Sequence, residues 1–234
     1  MSAVRLNMWT SGSRRGTSSG GNDLVAVVPQ SDLSGNLSAA GLAVVIEAIS
    51  RAATIDFTQL EHHLPLAEDR EYFQRWPGEH YKFLTGLASV LSPQLVLDIG
   101  TYHGASALAL SLHSERVVTY DISDLHSIGN AYEDLCDDRP NVSQQIGDLS
   151  EADFFESQIG LIQEADLIFI DGPKDGKFEY EVVPKLVQSM KSQSLLVLDD
   201  IRFANMRDLW IGIPKPRIDV GSFAHSSGTG VVFI

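Results

Sequence analysis

Five predicted strands from Leu95 onward each finish on or beside an aspartate: Asp98, Asp121, Asp148, Asp171 and Asp199, the last followed at once by Asp200. An aspartate after a strand is often only a turn former or a helix N-cap, and for any one of the five that role suffices. Five in succession ask for more. In an open α/β sheet the ligand crevice lies beyond the carboxyl ends of the strands, so these acids are expected to converge on one rim. Like charges gathered there repel and must be offset by hydrogen-bond donors, a metal or a cationic ligand.

The first run continues as Asp98-Ile-Gly100-Thr101-Tyr102-His103-Gly104-Ala-Ser106, from strand through turn to helix. Its two glycines permit a tight turn and close backbone approach to a ligand at the helix start. The spacing D-x-G-x-x-x-G differs from the G-x-G-x-x-G of dinucleotide sites, and an acid ahead of the first glycine is badly placed against a pyrophosphate. It suits a ligand bearing an amine or a sulfonium. Asp121 ends the second run, where nucleoside-binding sheets use an acid to accept two ribose hydroxyls, a feature that nicotinamide enzymes share. Asp148, in IGDL, has the position to accept from an adenine amino group or to cap the helix that begins near Glu151.

Positioning these groups requires a sheet. Strands are predicted at Leu95–Ile99, Val117–Tyr120, Val142–Ile146, Leu167–Ile170 and Leu195–Leu198, with helices near Ala105–Leu112, Ser127–Cys136, Ala152–Gln158, Tyr180–Met190 and Ala204–Trp210. Alternation of this kind signifies an α/β, Rossmann-like, doubly wound parallel sheet, and runs such as VLDI, LIFI and LLVL are apolar throughout, as strands covered on both faces must be. Arg217–Val220 and Val231–Ile234, joined by a Gly/Ser-rich loop without a helix, are expected to pair antiparallel. Residues 1–22, rich in Ser and Gly with three arginines and no acid, read as a flexible arm. Residues 23–92 read as a helical cap: one helix carries Leu42, Val45, Ile46 and Ile49, and a second short one follows a break at Thr54. Next comes a polar stretch with Tyr72, Phe73, Trp76 and Tyr81, then a helix started by Pro77-Gly78 with Phe83, Leu84, Leu87 and Leu91 on one face. Residues 93–234 form the sheet domain.

The 234 residues carry 31 acids against 17 Lys+Arg, a formal charge of -14, which argues against nucleic acid or an anionic membrane as a partner. No apolar run approaches the roughly 20 residues of a membrane span, and no signal peptide is evident. The single cysteine, Cys136, fits a reducing cytoplasm. An apolar face on the N-terminal helices is compatible with a homodimer.

Residues 78–234 resemble the class I S-adenosylmethionine-dependent methyltransferases, through VLDIGTYHGASALAL at the cofactor loop, VVTYDIS at the ribose acid, ADLIFIDGPKDGKFEY, LLVLDDIRF and the reversed final strand. Within that class the chain is most similar to the catechol O-methyltransferase-like, metal-dependent enzymes of small molecules and their bacterial relatives. The resemblance implies a cofactor site at Asp98, Gly100, Thr101, Tyr102, Gly104, Ser106, Asp121 and Asp148. It also implies a Mg²⁺ or Ca²⁺ ion on Asp171, Asp199 and Asp200, with Lys174 as catalytic base beside Asp171. Asp200 departs from the Asn usual in the family and makes the site one charge more negative.

The expected reaction is O-methylation of a small hydroxylated acceptor, with Lys174 partly desolvated and its pKa lowered so that it can take the hydroxyl proton. His103, in the cofactor loop, and His225, in the tail loop, are rival bases. Two other functions stay open at this point: a nicotinamide-dependent oxidoreductase on a similar sheet, and a non-catalytic methyltransferase-like interaction module.

Overall fold

The computed structural model describes residues 39–60, 63–64, 66–125, 135 and 139–234. The predicted arm (1–22), the first part of the cap, most of the helix expected at Ser127–Cys136, and Cys136 itself lie outside the described residues.

Seven strands form one sheet in the order β3-β2-β1-β4-β5-β7-β6. They are β1 (Leu95–Ile99), β2 (Arg116–Asp121), β3 (Val142–Ile146), β4 (Leu167–Ile170), β5 (Leu195–Leu198), β6 (Arg217–Asp219) and β7 (Gly230–Phe233). The first five pair parallel, whereas β7 runs antiparallel between β5 and β6. β1, β4 and β5 are buried at every position, which is why their sequences, Asp98 of β1 apart, are apolar without alternation. β3 lies at the edge, and its Ser143-Gln144-Gln145 centre leaves that edge polar.

The helices over the described residues are α1 (Ala39–Ala52), α2 (Ala67–Gln74), α3 (Tyr81–Leu91), α4 (Ala105–Ser111), α5 (Ala152–Glu164), α6 (Phe178–Ser189) and α7 (Met206–Gly212). Two cores sandwich the sheet. On one face Val96, Val117, Phe169, Val197 and Val231 meet α1, α3 and α4; on the other, Leu97, Val118, Ile168, Leu196 and Val232 meet α5, α6 and α7. Successive side chains on a strand point to opposite faces, so one apolar run feeds both cores.

Element ends differ from the sequence expectation for local reasons. α5 continues beyond Gln158 because Ile159, Leu161 and Ile162 extend its packed face. α6 begins at Phe178, where Asp175 Oδ1 accepts the backbone N–H groups of Lys177 (2.8 Å) and Phe178 (3.0 Å). The second short helix expected after Thr54 is a turn at residues 58–60, and the charged stretch that follows holds α2 instead. No helix among the described residues is long and apolar enough to cross a membrane.

α1 reaches the sheet through α3, and the two helices meet at Gly86, where an added Cβ would lie 2.4 Å from the Ala48 carbonyl oxygen. Gly86→Val must push the backbones apart, at a cost of about 1–3 kcal/mol. Urea unfolding should show a lower midpoint; an unchanged midpoint would contradict this close seating of α1.

Candidate active site

Strand order reverses about β1, whose neighbours β2 and β4 lead to opposite halves of the sheet. Crevices open at such switch points. A cavity of about 780 Å³ lies there, lined by Gly100 and Tyr102 after β1, Asp121 and Ile122 after β2, Gly147 and Asp148 after β3, and Asp171 and Gly172 after β4. Gly100 has φ +107°, and a Cβ on it would stand 2.1 Å from the Asp171 carbonyl oxygen, so only glycine lets the β1 turn pass the end of β4. Gly104, with φ +85°, caps α4.

Asp121 faces the cavity while its carboxylate accepts the N–H groups of Tyr102 (3.0 Å) and Ser123 (2.9 Å), tying the β1 turn to the β2 turn. Asp148 Oδ1 accepts from the Ser150 N–H (2.8 Å) and hydroxyl (2.7 Å), a turn-forming role held at the cavity wall. Asp98, Thr101, Gly104 and Ser106 are not among the lining residues. The sequence reading puts Asp98 against a cationic ligand, but the structure encloses it. One residue before the end of β1, it shares a face with Val96 and is fully buried beneath α4. There the Thr119 hydroxyl donates to its Oδ2 (2.7 Å), and the hydroxyls of Thr119 and Thr101 lie 2.6 Å apart. Burial pushes the Asp98 carboxyl up to about 7, against the opposing effect of the Thr119 hydroxyl.

A second group of polar residues adjoins the cavity at Asp171. Lys174, its side chain only 6% exposed, pairs with Asp171 Oδ1 and lies 3.4 Å from Asp200 Oδ2. Asp199 is 1% exposed; His225 Nδ1 is 2.7 Å from its Oδ2, and the Thr229 hydroxyl donates to its Oδ1 at 3.1 Å. His80 Nδ1 lies 3.3 Å from Asp199 Oδ1, and Glu79 Oε2 lies 3.6 Å from His225 Nε2. His80 and His225 arrive from distant parts of the sequence because the segment before α3 hydrogen-bonds to the tail loop. The Gly78 N–H donates to the Ala224 carbonyl (2.8 Å), the Ser226 N–H to the Gly78 carbonyl (3.1 Å), and the Trp76 indole N–H to the Phe223 carbonyl (2.9 Å).

Charge follows this geometry. Burial would raise the Asp199 carboxyl, yet His80 and His225 hold it well below the usual range. Burial likewise disfavours charge on His225, but Asp199, Glu79 and Asp200 raise it to about 9. Lys174 departs from expectation: desolvation alone would lower its pKa, but Asp171, Asp199 and Asp200 raise it, so in this arrangement it is an ammonium. Desolvation alone gives the expected direction, and the carboxylates gathered from the ends of β4 and β5 reverse it.

Among the described residues, ligating atoms within 4.8 Å of one another form three sets: Glu79, His80 and His225; His80, Asp171 and Asp199; and Asp199, Asp200 and His225. The expected trio of Asp171, Asp199 and Asp200 is thus divided between two sets, each completed by a histidine. Neither Glu79 nor His80 was singled out from sequence; the signal that could have found them is an adjacent Glu-His pair just after Pro77-Gly78. His103, a rival base, sits apart from these residues. Its Nδ1 is 2.7 Å from Asp69 Oδ2 on α2, and its ring stacks on Tyr102 at 3.6 Å, so it joins the cap to the β1 turn. His225, the other rival, is at the centre of the group.

Residues 97–201 match the family model Methyltransf_24, described as a methyltransferase domain. The fold is shared with a methyltransferase from Geobacter sulfurreducens, at 18% identity and TM-score 0.51 over 64% of this chain and 76% of that one. It is also shared with an S-adenosylhomocysteine-bound methyltransferase from Podospora anserina, at 16% identity and TM-score 0.50 over 82% and 88%. No curated protein matches the chain. Residues 97–201 thus match a methyltransferase-domain model, and the sheet as a whole shares the Rossmann-like fold of those methyltransferases.

The enclosure of Asp98 predicts a pH signature. Its folded pKa lies above the ordinary 3.8, so the folded state loses stability as pH rises from about 4 to about 7 and the loss is complete above that. Relative to Asp98→Asn, the parent protein should lose up to about 1.4 kcal/mol per pH unit across that window. Denaturant melts of both proteins at several pH values would measure it; parallel profiles would contradict it.

Proposed function

We propose that the protein transfers a methyl group from S-adenosylmethionine to a hydroxyl oxygen of a small acceptor. The observation that carries this reading is that Asp171 belongs both to the switch-point cavity and to the buried group of Lys174, Asp199 and Asp200. A cofactor in the cavity would have its reactive end at Asp171, and an acceptor beside Lys174 would meet it there.

Each part has a role in that reaction. Asp121 would accept the ribose hydroxyls, Asp148 would receive the adenine amino group, and Gly100 would let the backbone close on the ligand. The surplus of carboxylates favours a positively charged sulfonium over its neutral product. The sulfonium is itself the electrophile, so the protein's contribution is alignment of the acceptor oxygen with the methyl group, control of its proton and exclusion of water. The nicotinamide alternative gains no support, because the β1 turn lacks the glycine spacing that seats a pyrophosphate.

A divalent cation is implied by the resemblance, and the donors fit one: carboxylates and imidazoles converge within 4.8 Å in two sets that share the buried Asp199. Bound there, a cation would stabilise the acceptor oxygen as an anion. Lys174 as an ammonium donates a hydrogen bond and cannot receive a proton. It holds the acceptor oxygen in that state, and it becomes a base only when the carboxylates around it are otherwise neutralised.

Lys174→Met should lower kcat by about 10²-fold or more while leaving S-adenosylhomocysteine affinity within a few-fold of the parent. Asp171→Ala should abolish turnover with an unchanged circular dichroism spectrum. A radiolabelled methyl donor offered with phenols, catechols and polyols reads both. Full activity of either variant would remove that residue from the reaction, and no transfer to any hydroxylated acceptor would remove the reading.

A further inference from the structure

We infer that a cation at these strand ends meets mixed nitrogen–oxygen donor sets that share Asp199, His80 with Asp171 and Asp199 and His225 with Asp199 and Asp200, and that these sets take a borderline divalent ion of the Mn²⁺ to Zn²⁺ series in preference to Mg²⁺ or Ca²⁺. The inference rests on the proposed function only in placing a cation at these strand ends; it changes the ligands and the metal.

Three observations lead to it. Two donors that each stand about 2.0–2.4 Å from one ion can be no more than about 4.8 Å apart. Both sets that include strand-end aspartates meet that limit, and both require a histidine to do so: His80 with Asp171 and Asp199, His225 with Asp199 and Asp200. The histidines are not additions to a complete oxygen site.

The second observation concerns His80, which is 3% exposed and has no hydrogen bond of acceptable geometry at either ring nitrogen. A buried polar group left this way costs about 1–3 kcal/mol, and native structures seldom carry one without a ligand, ion or water to answer it. Its ring is fixed at the start of α3, 4.3 Å from the Tyr81 ring and 5.0 Å from Phe169, with Nδ1 directed at Asp199. Nε2 has no hydrogen bond or ion pair, and Nδ1 meets Asp199 only at 3.3 Å, a contact that a cation between the two would replace.

The third is the environment of His225. Its Nδ1 faces Asp199 and Asp200, at 2.7 and 3.5 Å, while Nε2 is turned to Glu79. Ligating imidazoles almost always present the second nitrogen to a carboxylate or carbonyl that fixes the tautomer, and Glu79 is placed for that duty. The Gly78–His225 bridge holds this geometry through backbone hydrogen bonds, independent of any ion. Mg²⁺ and Ca²⁺ prefer oxygen donors, whereas imidazole suits Zn²⁺, Fe²⁺, Co²⁺ and Ni²⁺, with affinity rising through the first-row series.

The test uses the full chain, freed of metal with a chelator and dialysed, then titrated calorimetrically with MgCl₂, CaCl₂, MnCl₂, CoCl₂ and ZnCl₂. The visible absorption of the Co²⁺ form gives a second readout, independent of turnover. Co²⁺ and Zn²⁺ should bind about 10²-fold or more tighter than Mg²⁺. His225→Gln, on the tail loop, should weaken Co²⁺ by about tenfold or more and alter its absorption bands, while Mg²⁺ affinity stays within a few-fold. His80→Gln should act alike, with circular dichroism checking the fold. Mg²⁺ binding as tightly as Co²⁺, with His225→Gln indistinguishable from the parent, would overturn the inference and leave a metal-assisted methyl transfer standing. Failure of every cation to bind would overturn both the inference and the metal's part in the reaction.

Discussion

A carboxylate as deeply buried as that of Asp199 cannot be left without partners, because an uncompensated charge in a protein interior costs several kcal/mol. Asp199 lies at the end of a central strand, and its partners come from elsewhere: His80 from the segment before α3, His225 and Thr229 from the tail. Satisfying this one group therefore requires the cap and the C-terminal hairpin to meet over the edge of the sheet. The backbone bonds between Gly78 and residues 224–226 are how they do so. The reversed β7 matters for the same reason, since it returns the chain beside β5 and brings the loop that carries His225 above the end of that strand.

The opposite half of the crevice is built on different terms. Around the β1 turn the backbone supplies the surface: Gly100 passes against the Asp171 carbonyl, and Asp121 collects two backbone N–H groups while facing the cavity. Tyr102, Lys174 and Asp200 all hold positive φ without being glycine, at 44°, 52° and 58°. Such conformations are uncommon for side-chain-bearing residues, and they cluster where a structure holds groups in place for chemistry. Here they fall at the ends of β1, β4 and β5, where the cavity adjoins the group of Lys174, Asp199 and Asp200.

Much of this was legible in the sequence because parallel strands buried on both faces leave a strong signal. β1, β3, β4 and β5 occupy the residues expected for them, and the antiparallel ending of the sheet follows from two short strands joined by a loop whose helical content is one 3₁₀ turn, Gly221–Phe223. The strand-end aspartates mark the edge of the sheet at which the cavity opens. Individual directions were not legible. Asp98 sits one residue short of its strand end, and the twofold alternation of a strand turns it into the core, a difference of one position that a motif cannot display. Glu79 and His80 were passed over because their partners lie more than a hundred residues away, and only tertiary pairing reveals them. The charge of Lys174 is hidden for a related reason: its pKa depends on how many acids surround it, which local sequence does not record. α2 formed within a charged stretch that offered little apolar periodicity.

The proposed reaction requires that the switch-point cavity receive the nucleoside of S-adenosylmethionine at Asp121. Isothermal calorimetry of the full chain with S-adenosylhomocysteine, set beside NAD and repeated on Asp121→Ala, tests it most directly. The account predicts saturable binding of S-adenosylhomocysteine, none of NAD, and at least about tenfold weaker binding by the variant, the loss expected when hydrogen bonds to a charged acceptor are removed. No heat with S-adenosylhomocysteine, or equal affinity in parent and variant, would contradict it.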